Sequence, residues 1–495
     1  MSQPVGTFCL VLHTHLPWLP HAGTWPVGEE WTYQAFTASW QRVVRVIEAL
    51  DRPDVLTLGI TPTVAAMLDD PYTLRELHTW IANWQLRAAE LAGRPEPHLK
   101  SLASYEWRAA SACLDDFESR WMHGGSPVLG QLASSGTVEL LGGPAMHPFQ
   151  PLLPSRLQRF ALAVGLDDAR QRYGFAPAGI WAPECGYRPG LEASYVDAGV
   201  QRFLIDGPAV QGQTHAAYPV VGTDVVAFAR DLEVTYRVWS PKAGYPGSAP
   251  YRDFHTFDHA SGFRPVQVTG KHLPSEAKKP WDPAAGAAQA SADADDFVAR
   301  VRDRLVSLAD QHGQESLVVA AYDTELFGHW WHEGPQWLAA VLRRLPEAGV
   351  RVTTLGGALA AGHLGPEREI PASSWGSGKD WRVWDGEQVA DLVADNAKVA
   401  DRLLSTVDDF GTADRDPVLD QLATEALLAL SSDWAFMVTK DSAAHYARCR
   451  AAKHAAQVAE LADLLYAGHR RAAETLAAQL RVVDGPFAHL DARQL

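Results

Sequence analysis

Two carboxylates stand at the ends of two apolar runs. Glu184 lies in Gly179-Ile180-Trp181-Ala182-Pro183-Glu184-Cys185-Gly186-Tyr187, and Asp323 in Leu317-Val318-Val319-Ala320-Ala321-Tyr322-Asp323-Thr324-Glu325-Leu326-Phe327-Gly328-His329-Trp330-Trp331. Each run reads as a buried strand that delivers an acid where it stops. Retaining cleavage of a glycosidic bond needs such a pair: one carboxylate attacks the anomeric carbon, and a second carboxyl protonates the leaving oxygen about 5–5.5 Å away. The two acids are far apart in sequence, so only a fold can bring them together. Both are expected at a polar rim. Either could instead pair with an arginine for structure, since structural networks also perturb carboxyls.

His13-Thr14-His15 closes another apolar run, and strand alternation turns both histidines to one side. His147 follows a third run, in Gly142-Gly143-Pro144-Ala145-Met146-His147-Pro148. Spacing leaves three uses open. With Asp323 the three could bind zinc, as His-x-His is a common ligand spacing. They could hydrogen-bond sugar hydroxyls, or they could fill the barrel as a satisfied group. No Cys or His cluster reinforces the metal reading.

The elements that must position these residues are strands at Thr7–His13, Val55–Ile60, Thr137–Leu141, Ala178–Pro183, Arg202–Asp206, Val225–Phe228, Ser316–Tyr322 and Val350–Leu355. Helical patterns at Pro154–Tyr173, Ala290–Gln311 and Gly334–Ala348 lie between them. Seven or eight strands in βα alternation predict a closed or nearly closed α/β barrel with its functional residues at one rim. Pro71–Gly124 reads as a helical insertion of two long helices, Tyr72–Ala92 and Leu99–His123. Lys271–Gln289 reads as a long loop. Residues 1–370 form the expected barrel domain and 371–495 a C-terminal helical domain. The helices expected there are Gly386–Leu404, Pro417–Leu430, Asp441–Tyr466 and His469–Arg481, with Trp375-Gly376-Ser377-Gly378 at the junction.

Composition limits the partners. The 495 residues carry a formal net charge of -16, which disfavours nucleic acid and anionic membranes. A neutral polymer such as glucan needs no charge on the protein. The 18 tryptophans suit stacking on sugar rings, with core packing claiming a share of them. Cys9, Cys113, Cys185 and Cys449 show no metal or redox spacing, and no leader or membrane-spanning run is evident. A cytoplasmic protein is expected. No coiled coil or repeat specifies an oligomeric state.

Four motifs in order carry a resemblance: Val11-Leu12-His13-Thr14-His15-Leu16-Pro17-Trp18, Val138-Glu139-Leu140-Leu141-Gly142-Gly143, Trp181 to Tyr187, and Tyr322 to Trp331. They resemble the successive sequence regions of glycoside hydrolase family 57, and within it those of the 1,4-α-glucan branching enzymes. Trp25-Pro26-Val27-Gly28-Glu29-Glu30-Trp31, Gly244-Tyr245-Pro246-Gly247 and Ser431-Ser432-Asp433-Trp434 extend the match along nearly the whole chain. The resemblance implies a (β/α)7-type barrel, an inserted helical subdomain and a C-terminal helical domain lining the cleft. It implies an α-glucan substrate and retaining transfer with no metal or other cofactor. Glu184 would be the nucleophile and Asp323 the acid and base. His13, His15 and His147 would hold the sugar, Trp31, Trp375 and Trp384 would be aromatic platforms, and Arg230, Gly247 and Asp433 would contact glucan.

Two departures from the pattern stand out. The Gly207–Thr223 segment is short where the branching enzymes carry a longer loop, and Tyr218 is its only tyrosine. Ser442 replaces a glucan-contacting Gln. A short lid would favour hydrolysis over transfer. The alternatives are an α-amylase or 4-α-glucanotransferase of the same family, a metal-dependent polysaccharide deacetylase, and a non-catalytic glucan-binding protein.

Overall fold

The computed structural model describes residues 4–24, 27–240, 243–270 and 272–495. Trp25 and Pro26 of the extended motif, and Lys271 of the expected loop, lie outside the described residues. Strands β1 (Gly6–Thr14), β2 (Leu56–Ile60), β3 (Val138–Gly142), β4 (Gly179–Ile180), β5 (Arg202–Asp206), β7 (Val226–Arg230) and β8 (Leu317–Asp323) run parallel in the order β7-β5-β4-β3-β2-β1-β8. A hydrogen bond from Asp231 N to Val319 O, 2.8 Å, joins β7 to β8 and brings the two ends of the sheet together. The short β6 (Tyr218–Pro219) pairs antiparallel with β7, and β9 (Val350–Thr353) pairs with the start of β1.

Both faces of the strands are buried, which explains their near-continuous apolar runs. Cys9, Val11, Leu204, Phe228, Leu317, Val319 and Ala321 pack together in one cluster. Phe8, Leu10, Leu12, Val318 and Ala320 alternate with them and pack into another. Parallel strands place every C-terminal end at the same rim, so the turns after β1, β3, β4, β5, β7 and β8 converge there. Helix Ser155–Tyr173 crosses the turn after β3 closely. A Cβ on Gly165 would lie 2.1 Å from the Gly143 carbonyl oxygen, so only glycine fits there.

The inserted hairpin is helix Pro71–Leu91 followed by Pro97–Asp116 and a π-turn at Phe117–Trp121. The expected loop Lys271–Gln289 is shorter than read. Asp282 caps a helix that begins at Pro283 and runs to His312, because its carboxylate accepts from Ala284 N and Pro283 is well placed in a first turn. Several elements were not expected from the sequence, and two of them bear on the site. The helical run Glu29–Glu48 contains a π-turn at Phe36–Trp40, and the short helix Ser432–Thr439 is broken from Pro417–Ala429 by Leu430-Ser431. The C-terminal helices are Ala390–Phe410, Pro417–Ala429, Ser432–Thr439, Ala444–Tyr466 and Arg470–Val483. Pro417–Ala429 is buried from Val418 to Ala429 and forms their centre.

Candidate active site

Glu184 follows β4 on a backbone few residues tolerate. Its φ is 62°, Cys185 follows at 49°, and Met146 and His147 after β3 have φ of 60° and 52°. Left-handed conformations at bulky residues cost about 1–3 kcal/mol each and concentrate at functional sites. The turn aims Glu184 at groups from the C-terminal part of the chain. Its Oε2 accepts from Trp375 Nε1 at 2.8 Å, and its Oε1 from Ser432 Oγ at 2.9 Å. Trp375 N also donates to the Glu184 carbonyl, 2.8 Å. The expected junction loop therefore grips the acid twice.

The histidines form one stack. His13 and His147 face each other Nε2 to Nε2 at 3.1 Å, and His147 Nδ1 is 2.9 Å from Ser432 Oγ and 3.9 Å from Glu184 Oε1. His15 stacks on His147 with ring centres 3.8 Å apart, and its Nε2 reaches Asp433 at 2.9 Å. Trp181 lies flat on His13 at 4.2 Å. Asp323 is the register partner of His13 on the adjacent β8. The β1, β3, β4 and β8 ends and helix Ser432–Thr439 thus assemble one cluster.

The two acids differ in setting. Glu184 is only 7% exposed, so it sits deeper than a polar rim would place it. Burial pushes its carboxyl up to about 7, against the pull of the Trp375 and Ser432 hydrogen bonds and with a further push from the Asp433 and Asp323 charges. Asp323 opens to solvent but is walled by protein on most sides. Desolvation pushes its carboxyl up to about 6, offset by the His15 and Arg230 charges. Burial is thus the first cause that raises both carboxyls above the ordinary range.

The other expected site residues divide. Arg230, at the end of β7, donates from Nε to Asp206 at 2.9 Å and lies under Trp375 with its guanidinium carbon 5.1 Å from the ring centre. Asp433 holds His15, as above. Trp31 is half-buried between the barrel and the C-terminal helices. Trp384 offers no open ring face: it is 2% exposed and stacks on Phe149 at 4.7 Å. Gly247 lies in the turn Tyr245–Gly247, whose Tyr245 hydroxyl donates to Asp296 on the outer helix at 2.6 Å. No hydrogen bond among the described residues ties it to the cluster. His13 and His147 are buried and face each other through Nε2; His147 lies beside Glu184, and His13 Nδ1 has no hydrogen-bond partner among the described residues.

Tyr218 is buried, with its hydroxyl donating to Gln213 O at 2.7 Å, and its segment is tied by Gly365 N to Ala217 O at 2.7 Å and Arg368 N to Pro219 O at 2.8 Å. That stretch is fixed structure rather than a lid. Ser442 is exposed in the turn after helix Ser432–Thr439.

Sequence reading missed Ser432, Trp181 and Lys379 as site residues. Lys379 Nζ lies 2.6 Å from Asp206 and donates to the Trp375 carbonyl at 3.0 Å. Ser432 and Trp181 stand beside residues already singled out, so motif adjacency was the available signal. His15, His147 and Asp433 also lie close enough to hold a metal ion. Both ring nitrogens of His15 and of His147 already have side-chain partners, so hydrogen bonding alone explains their arrangement.

A parallel seven-stranded barrel gathering two raised carboxyls at its C-terminal rim defines a carbohydrate-active α/β barrel. The chain belongs to glycosyl hydrolase family 57, whose sequence model matches residues 9–372. The C-terminal region of 1,4-alpha-glucan branching enzymes matches residues 396–494. A probable 1,4-alpha-glucan branching enzyme of Mycobacterium tuberculosis is 53% identical over 521 aligned positions, covering 100% of this chain and 99% of that protein. The solved family 57 branching enzyme of Thermococcus kodakaraensis superposes with a TM-score of 0.93 at 28% identity, covering 99% of this chain and 96% of that one. The α-amylase AmyC of Thermotoga maritima shares the fold, with a TM-score of 0.89 at 24% identity over 99% of this chain and 98% of its own. Among the described residues no helix is long and apolar enough to cross a membrane.

Proposed function

We propose that this chain is a 1,4-α-glucan branching enzyme acting by retaining transglycosylation. The observation that carries this reading is Glu184 held on both carboxylate oxygens by Trp375 and Ser432, the latter within the region similar to branching-enzyme C-terminal parts. Glu184 attacks C1 of the donor sugar while Asp323 gives its proton to the departing O4, and the C1–O4 bond breaks. A glucan 6-hydroxyl then attacks C1, Asp323 takes its proton, and Glu184 is released. The donors on Glu184 stabilise it both as attacking anion and as leaving group.

The chain divides in this reading into a catalytic unit at 1–370 and a helical unit at 371–495 that completes the nucleophile's shell. Trp31 and Trp375 would stack on glucan, and Arg230 would steady Trp375. His13, His15 and His147 would back the cleavage point. Four unpaired thiols fit a cytoplasmic setting.

Incubation with amylose tests the reading, by counting new α-1,6 links against new reducing ends. Branch points in excess are the expected outcome. Reducing ends alone would make it an amylase, and rearranged linear chains alone a 4-α-glucanotransferase.

A further inference from the structure

A buried carboxylate that must stay ionised needs a donor on each oxygen. Trp375 Nε1–H can only donate, so Oε2 of Glu184 is always served. Oε1 depends on Ser432, whose hydroxyl has one proton and two neighbours, Glu184 at 2.9 Å and His147 Nδ1 at 2.9 Å. If His147 turns a bare Nδ1 to the serine, that proton is drawn to the imidazole and Oε1 loses its donor. If His147 carries its proton on Nδ1, Ser432 accepts from it and gives its own proton to Glu184.

The far side of the ring decides between these. His147 Nε2 lies 3.1 Å from His13 Nε2, and two neutral imidazoles so placed need one N–H and one lone pair between them. Both rings are held neutral, with burial as the first cause and the neighbouring histidines as the next. His13 Nδ1 is buried and has no hydrogen-bond partner among the described residues. A proton on His13 Nε2 leaves that orphan as a bare acceptor, whereas a proton on Nδ1 would bury an unpaired N–H, the rarer arrangement in proteins. His15 stays outside this chain of bonds. Its Nε2 faces Asp433, which only accepts, and its Nδ1 faces Thr61 Oγ1 at 3.1 Å.

We propose that His13, His147 and Ser432 form a one-way relay of hydrogen-bond donors ending on Glu184. His13 Nε2–H donates to His147, His147 Nδ1–H to Ser432, and the Ser432 hydroxyl to Glu184 Oε1. Ser432 is then the positioning residue of the nucleophile, contributed from outside the barrel, and the tautomer of His147 switches its support on. This deepens the branching-enzyme reading and rests on Glu184 being the nucleophile.

Selective ¹⁵N labelling of histidine in the full chain, with proton–nitrogen correlation spectra near neutral pH, reads the tautomers directly. The signals are assigned by their loss in His13→Gln and His147→Gln. The expected spectrum has His147 protonated on Nδ1 and His13 on Nε2. In Ser432→Ala, kcat on amylose should fall about tenfold to a hundredfold while KM stays within about twofold, because a donor to a reacting oxygen is lost and no sugar contact is. Ser432→Thr, which keeps the hydroxyl, should recover most of that loss. His147 protonated on Nε2 overturns the relay, and an unchanged kcat in Ser432→Ala overturns the role of Ser432. A wild-type chain that leaves amylose untouched while showing the expected tautomers would instead count against the enzymatic reading alone.

Discussion

Among the described residues, the rim cluster and a C-terminal cluster both bury acids beside a histidine, and they are built on opposite principles. The C-terminal one comprises Glu425, His454 and Asp484, each almost fully enclosed. His454 Nδ1 lies 2.7 Å from Glu425, Arg450 donates to His454 Nε2 at 3.3 Å, and Lys453 pairs with Asp484 at 3.0 Å. Glu425 and His454 stand on ordinary helices, with cations close by. The rim group stands on left-handed backbone at Met146, His147, Glu184 and Cys185. Among the described residues Glu184 has no ion pair with Lys or Arg, only neutral donors. The contrast separates structure from function. A cluster that only has to be stable neutralises its charge on regular backbone. The group that holds the proposed nucleophile keeps an anion short of counter-charge on strained backbone that aims it.

Substitutions can break that contrast from either side. Glu184→Gln should cut glucan turnover by about 10⁴-fold or more while the chain stays folded, as measured by branching rate and thermal melting. Arg450→Met should do the reverse. It strands His454 and the Trp18 carbonyl, which also accepts from Arg450 at 2.8 Å, and weakens the compensation of two buried acids. Loss of about 3 kcal/mol in urea unfolding is expected, with kcat of the folded fraction unchanged. A melting loss for Glu184→Gln, or a turnover loss without destabilisation for Arg450→Met, would invert the assignment.

A stability gain is also expected from removing the charge of the proposed nucleophile. Glu184 binds its proton more tightly folded than unfolded, so its contribution to stability falls as pH rises from about 4.5 through about 7. Glu184→Gln should therefore be more stable than wild type at pH values above that window, by at most about 3 kcal/mol. The gain should shrink through the window and vanish below it. Equal melting curves across the range would show that Glu184 is not held ionised against its burial.

Trp375→Phe gives the smallest effect and the finest cut. It keeps a ring for stacking but removes the donor to Oε2, so kcat should fall about tenfold with glucan affinity retained. Trp384→Phe should leave both unchanged.

Much of the barrel was legible because parallel strands buried on both faces write themselves as apolar runs. All eight expected strands are present, and the runs ending at His13, Glu184 and Asp323 converge at one rim. The site was legible only where a motif named a residue. Asp433 was singled out but its neighbour Ser432 was not, since two residues of a short helix look alike until one faces Glu184. Trp384 shows the opposite failure. Composition and motif cannot tell a tryptophan that stacks on sugar from one that stacks on Phe149. The loop expected at Lys271–Gln289 misled because Ala and Gly after Asp282 looked irregular, whereas the aspartate and proline start a helix.

In the proposed mechanism Glu184 takes the sugar covalently and Asp323 handles the proton. Asp323→Asn incubated with α-maltosyl fluoride tests it most directly, because fluoride leaves without a proton donor and the second step then lacks its base. A maltosyl adduct should accumulate, and peptide mass spectrometry should place it on Glu184. An adduct on another residue, or none while fluoride is still released by wild type, would contradict it.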